Sequence, residues 1–345
     1  MRPPLAETAF NFDGRDLATG QVVLAALRWG EWADLEREVR TGLVGVQRME
    51  RDGTSVADTE LRPILIAWRR ERHLLSAEDY QTWLADRGLT LEDMSGYLRR
   101  SAVARLTTDG ACDRAELAAA VYPEAILAGR LSAWAQRLAQ HEAARRALRA
   151  LGVETPPMPA EDVSQLVAAA KHADASGLDE ISVERLRVWG NEVLELEHAS
   201  SLLVDQLAHD EPIERCLSAH SLDWQRFEWE EATFAREDVA REAGLWVREE
   251  GLELSAVAEQ AGTVLTVGAA YGYEAREIAG MLTGKRPGEL GGPVATDSGW
   301  RLVLLRERVL PSAADPQLRA QAIDELLDDA LAPHLAGRVE WHARL

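Results

Sequence analysis

At about Leu222 the chain changes period, and this switch limits its fold more than any other feature. From Asp16 to His220 apolar residues recur at helical spacing. Beyond Leu222, short aromatic and β-branched runs alternate with short helical ones. A helical stripe buries itself against other helices, whereas strands must pair into a sheet and cover at least one face of it. The expected fold class is α+β, with a mainly helical N-terminal part and a small α/β domain near the C-terminus.

In the helical part, Leu17, Val22, Leu24, Leu27, Trp32, Leu35 and Val39 predict helices broken near Gly30. Ser55-Val56-Ala57-Asp58 opens a helix whose face includes Leu61, Ile64, Leu65 and Trp68. Ser76-Ala-Glu-Asp79 and Thr90-Leu-Glu-Asp93 read as capping boxes with Asp in the place of Glu or Gln. Pro123 is expected to separate a short helix from a long one, with Leu127, Leu131, Trp134 and Leu138 on one helical face. The run from Gly152 to Ala160 holds three prolines in four positions and reads as a linker. Across it, Ser76-x-Glu78 before Trp83 is matched by Ser182-x-Glu184 before Trp189. This match is either a duplicated helical unit or two helices that share a cap.

After the switch, Leu222 to Phe234, with Trp224-Gln-Arg-Phe-Glu-Trp229 at its centre, reads as a strand. Helices follow at Arg236 to Glu250 and Leu252 to Ala261, then a strand at Thr263 to Val267 and a helix at Glu274 to Leu282. A Gly-Pro turn at Gly292-Pro293 leads into a closing strand from Gly299 to Val309. Asp315-Pro316 predicts an N-cap and first turn for a terminal helix. The expected division is a helical domain at 1–151, a linker at 152–160 and a second helical segment at 161–220. The α/β domain takes 221–310, and a helix and tail take 311–345.

The formal net charge of −20 repels phosphate backbones and anionic lipid, so nucleic acid and membrane surfaces are not expected partners. A neutral or cationic peptide fits this field better. The two cysteines, Cys112 and Cys216, form no C-x-x-C pair, and the histidines show no zinc spacing. No metal or other cofactor is therefore expected. Gly284-Lys285-Arg286 lacks the phosphate-loop pattern. Met1 to Asp13 has no apolar core of a signal peptide, and no run approaches the roughly 18 apolar residues of a membrane span. A cytoplasmic setting is the expectation.

Several stretches resemble the parvulin-type peptidyl-prolyl isomerases. Gly251-Leu-Glu-Leu254-Ser-Ala-Val-Ala258 follows a helix carrying Ala240 and Leu245. Pro287-Gly288-Glu289-Leu-Gly-Gly-Pro293-Val294 resembles the family's loop before its last strand, and Gly299-Trp300-Arg301-Leu302-Val303 resembles that strand. In the helical part, Val56 to Leu61, Leu75-Ser-Ala-Glu78, Trp83-Leu84, Gly88-Leu89 and Leu98 resemble the N-terminal domain of SurA-type chaperones. Together these stretches cover under half the chain. The family carries histidines on its first and last strands. Here no histidine lies between His220 and His334, and Arg301 takes the place of the last one.

The resemblance implies a SurA-like helical part joined to a degenerate parvulin-like domain that keeps a peptide groove. Its layout is similar to that of isomerase-related proteins in bacterial peptide natural-product maturation systems, which implies a ribosomally made precursor peptide, or an unfolded polypeptide, as ligand. Peptide-modifying enzymes are then further partners. The expected groove residues are Trp224, Arg226, Phe227, Glu228, Trp229, Tyr271, Tyr273, Met281, Trp300 and Arg301. Aromatic anchors and Met suit apolar peptide contacts, although strand alternation sends about half such residues inward. No catalytic residue is assigned, because Arg301 can donate hydrogen bonds but cannot act as a neutral imidazole. Two alternatives remain open at this point. One is a divergent isomerase or peptide-modifying enzyme using Arg301 and carboxylates such as Glu228. The other is a scaffold for a partner enzyme.

Overall fold

The computed structural model describes residues 4–103, 110, 112–173, 175–342 and 345. The chain is α+β. It opens with a hairpin of β1 (Thr8–Phe12) and β2 (Arg15–Ala18), followed by α1 (Thr19–Arg28) and α2 (Glu31–Arg51). Then come α3 (Asp58–Glu71), α4 (Ala77–Asp86), α5 (Leu91–Val103), α6 (Arg114–Leu127) and α7 (Arg130–Ala150). The next helices are α8 (Ala160–His172), α9 (Val183–Leu207) and α10 (Asp210–Ala219). The later part runs β3 (Arg226–Phe234), α11 (Glu237–Glu249), α12 (Leu254–Gln260), β4 (Leu265–Tyr271) and α13 (Arg276–Leu282). It continues with β5 (Leu290–Thr296), β6 (Gly299–Val309), α14 (Pro316–Leu335) and β7 (Val339–Trp341). Two compact units result: Met1–Leu203 with Asp329–Leu345, and Val204–Asp328.

The first unit is a helical assembly around Trp32, Tyr122, Trp134, Leu127 and Leu131, all fully buried. Its caps follow the sequence. Ser76 accepts a hydrogen bond from the Asp79 amide at 2.9 Å. Thr90 and Asp93 exchange bonds, with the Thr90 amide donating to Asp93 at 2.8 Å and the Asp93 amide to Thr90 at 3.1 Å. Gly30 breaks α1 from α2 in the left-handed region (φ 78°). The 152–160 stretch has no regular structure before α8, and it joins helices of the same unit.

Several local expectations change. Residues 8–18 are strands, not the start of a helix. Asp13 and Gly14 both have positive φ (51° and 85°), which is the two-residue hairpin geometry that an Asp-Gly pair favours. β1 also pairs with β7, so the ends of the chain meet in a three-stranded sheet of order β2-β1-β7. Pro123 does not divide helices. It lies inside α6 among buried Val121, Tyr122, Ala125, Ile126 and Leu127, and the break comes at Gly129 (φ 73°). Burial of that face offsets the hydrogen bond that proline removes. The two matched segments share a cap and differ in length. Ser182 caps α9 as Ser76 caps α4, but α9 continues for 25 residues where α4 stops at Asp86.

The second unit is built on an antiparallel sheet of order β4-β3-β6-β5. One face packs Ala232, Phe234, Leu302 and Leu304 against Ala240 and Ala243 of α11 and Leu254, Val257 and Ala258 of α12. The other face packs Phe227, Trp229, Val303 and Leu305 against Ile278 and Leu282 of α13. The expected Gly-Pro turn is instead part of β5. Gly292 (φ 90°) and Pro293 form an irregularity between Gly291 and Val294, and the strand resumes pairing with β6. A side chain at Gly292 would place its Cβ 2.5 Å from the Arg301 carbonyl oxygen. The expected strand from Leu222 starts only at Arg226, because Trp224 closes a turn on the His220 carbonyl at 2.9 Å.

Candidate functional site

Alternation along β3 decides which side chains can share a site. Phe227, Trp229, Glu231 and Thr233 face α13, and their cross-strand partners on β6 are Arg308, Leu305, Val303 and Arg301. α13 is seven residues long and covers the Phe227–Trp229 end of this face. At the other end a cavity of about 660 Å³ opens, lined by Glu277 and Met281 of α13, Val294 and Thr296 of β5, Asp297 of the β5–β6 turn, and Arg301.

Local bonds hold its walls. The C-terminus of α13 is closed by Arg308, which donates to the Leu282 carbonyl at 2.9 Å and the Lys285 carbonyl at 2.6 Å. On β5, Arg248 of α11 donates to the Gly292 carbonyl at 2.7 Å and fixes the irregular segment. The turn is set by Thr296, whose hydroxyl donates to the Gly299 carbonyl at 3.0 Å.

Arg301 supplies the guanidinium of the lining. Its Nε lies 3.6 Å from Glu231 and its Nη1 lies 3.7 Å from Glu277, so both carboxylates neutralise it at a distance beyond a hydrogen bond. The Nε is buried and has no hydrogen-bond partner among the described residues. Glu231 is mostly buried (24% exposed), whereas Glu277 stands in solvent (88% exposed). The lining therefore offers a guanidinium near its base, carboxylates at its rim, and the apolar walls of Met281 and Val294. It holds no imidazole and no thiol.

Of the ten residues the sequence suggested, Arg301 and Met281 line this cavity. Phe227 and Trp229 lie on the same face but are core, 1% and 8% exposed. Trp300 points to the opposite face and packs against the α11–α12 cluster. Glu228 is also on that opposite face and pairs with Arg226 at 3.0 Å, so it is not the carboxylate beside Arg301. Trp224, Tyr271 and Tyr273 belong to a third cluster with Ile213, Cys216 and Leu217 of α10 and Leu318 and Ala322 of α14. There Tyr271 donates to Asp315 at 2.6 Å. That bond pushes the phenol up to about 12 and holds the Asp315 carboxyl below its usual range. Glu231, Glu277 and Asp297 were not anticipated. Strand parity alone puts Glu231 on the side of Phe227 and Trp229, two residues further along.

No family model matches the chain, and no curated protein matches it. Among solved structures it is similar to PrsA from Bacillus subtilis (15% identity, 61% of this chain and 84% of that one, TM-score 0.21). It is also similar to the peptidylprolyl isomerase PrsA of Bacillus cereus (15%, 58% and 81%, TM-score 0.31) and of Bacillus anthracis (13%, 58% and 95%, TM-score 0.24). Among the described residues, no helix is long and apolar enough to cross a membrane.

Proposed function

We propose that this protein is a chaperone-like polypeptide binder that holds an extended segment in the cavity between α13 and the β5–β6 hairpin, without histidine-dependent prolyl isomerisation. One observation carries this reading. Where the resembled family places a histidine on its last strand, Arg301 lines an open cavity, its guanidinium 3.6 and 3.7 Å from the Glu231 and Glu277 carboxylates, beyond hydrogen-bond range. A guanidinium there can hold a peptide carbonyl, while Met281 and Val294 offer apolar contact to a neighbouring side chain. Lowering a rotation barrier of roughly 18–20 kcal/mol needs more than one such donor.

The bound segment is proposed to be an unfolded polypeptide and, more narrowly, a ribosomally made precursor peptide that is presented in the cytoplasm to modifying enzymes. The strand order and the Pro287-Gly288-Glu289 loop support the groove. The narrower proposal rests on the sequence resemblance alone. The test is fluorescence anisotropy with dye-labelled, uncharged peptides of about eight residues. Binding should saturate and weaken about tenfold or more in Arg301→Leu, at unchanged folding by circular dichroism. Peptides that bind Arg301→Leu as well as the parent protein would remove the groove from the reading. Strong acceleration of proline-tetrapeptide isomerisation would replace it with an enzyme.

A further inference from the structure

We infer that the same cavity selects polypeptide segments carrying a lysine or arginine next to an apolar residue. This inference rests on the binding reading above and adds the class of ligand. The lining contains one guanidinium and two carboxylates, Glu277 on α13 and Asp297 at the tip of the β5–β6 turn, both solvent-exposed. Glu231 adds a third negative group beneath Arg301. The guanidinium is thus over-neutralised, and the rim keeps a surplus of negative charge. Among the described residues Arg301 is the one cation in the lining; Arg248, tied to the Gly292 carbonyl, Arg308, tied to the Leu282 and Lys285 carbonyls, and Arg276 lie outside it.

The geometry divides the work between two kinds of group. Arg301 lies near the base, 3.6 and 3.7 Å from Glu231 and Glu277, and its guanidinium suits a backbone carbonyl. Glu277 and Asp297 stand at the rim on separate elements, where a long cationic side chain reaches them while its methylenes lie along Met281 or Val294. A glutamate in the same place meets two like charges. A glutamine there gains neither attraction nor repulsion. Exposed pairs are individually weak, so the expected selectivity is modest and sensitive to salt.

The experiment uses three dye-labelled peptides of identical sequence except for Lys, Gln or Glu beside one leucine. They are titrated by anisotropy against the full chain at low and physiological salt. The Lys peptide should bind about threefold to tenfold tighter than the Gln peptide, and the Glu peptide weaker than both. The Glu277→Gln/Asp297→Asn double variant should abolish the Lys preference, so that the Lys and Gln peptides bind it alike. Glu249→Gln/Glu250→Gln makes the same change in net charge at the end of α11, on the opposite side of the sheet, and should leave the preference intact. Equal binding of the Lys and Gln peptides overturns the inference while the binding reading stands. So does a Lys preference that survives E277Q/D297N, because it then comes from the overall charge. Failure of all three peptides to bind overturns both.

Discussion

Gly268 on β4 is opposite Trp229 on β3, and the indole lies over the glycine. A Cβ built on Gly268 would sit 2.4 and 2.5 Å from two indole carbons. Carbon atoms in contact rest about 3.5–4.0 Å apart, so the overlap in Gly268→Ala exceeds about 1 Å. The indole cannot retreat freely, because Trp229 is 8% exposed and packed with Ile278, Leu282 and Leu305. Either β4 or α13 must move. Overpacking of this kind costs about 1–3 kcal/mol. For a unit of this length, that lowers the melting temperature by about 4–12 °C. The assay is a double-mutant cycle in urea. Trp229→Leu alone should cost about 2–4 kcal/mol through lost burial and a cavity. Adding Gly268→Ala to it should cost little more, since the added methyl enters space the indole vacates. The expected coupling is about 1–3 kcal/mol. Because Met281 shares α13 with Ile278 and Leu282, Gly268→Ala should also weaken peptide binding in the adjacent cavity. Simple additivity of the two substitutions would refute the packing argument.

Three further outcomes are expected. In the first unit, Glu124 accepts two hydrogen bonds from Arg100 at 2.6 and 2.8 Å in a buried pair, and burial pushes the Glu124 carboxyl up. Glu124→Ala should therefore cost about 3–5 kcal/mol, whereas Arg100→Met/Glu124→Leu should be near neutral in chemical denaturation; equal losses would contradict this. Tyr271→Phe should cost about 1 kcal/mol at neutral pH. The Asp315 part of that difference fades as pH falls below about 4, and the Tyr271 part fades as pH rises from about 10 towards 12. A pH-independent difference would exclude the bond as its source. Ser76→Ala should lose about 1 kcal/mol through the Asp79 amide it leaves uncapped, and a change under about 0.3 kcal/mol would show that α4 does not need the cap.

What the sequence could disclose follows from the range of the interactions involved. Caps are local: Ser76, Thr90 and Asp315 act on amides two or three residues away, and all three sit where the motif puts them. The closing strand Gly299–Val309 was also legible, as an unbroken β-forming run bounded by a glycine. Pairing partners are not local. β1 is five residues long and gains a neighbour from residues 339–341, more than 300 positions away. β5 looks like a turn because Gly291-Gly292-Pro293 has turn composition. It is a strand because β6 and α11 hold both sides of the irregular segment.

The site itself depends on parity more than on residue type. Ten aromatic, charged and Met positions drew attention, but a sheet allots alternate residues to opposite faces, so chemical appeal and location are independent. Trp300 and Arg301 are neighbours in sequence, yet one packs on the α11–α12 cluster and the other lines the cavity. Glu228 and Glu231 differ by an odd number and are therefore separated by the sheet, which is why the nearer-looking carboxylate pairs with Arg226 and the other with Arg301. Packing of small against large residues carries the same information. Gly268 and Ala270 stand opposite Trp229 and Phe227, and that complementarity fixes which face of β3 lies under α13. Once Phe227 and Trp229 are assigned to that face, Glu231 follows by counting, and Arg301 follows from its register with Thr233. Glu277 and Asp297 do not follow. They reach the cavity through the length of α13 and the position of a two-residue turn, which only the folded chain sets.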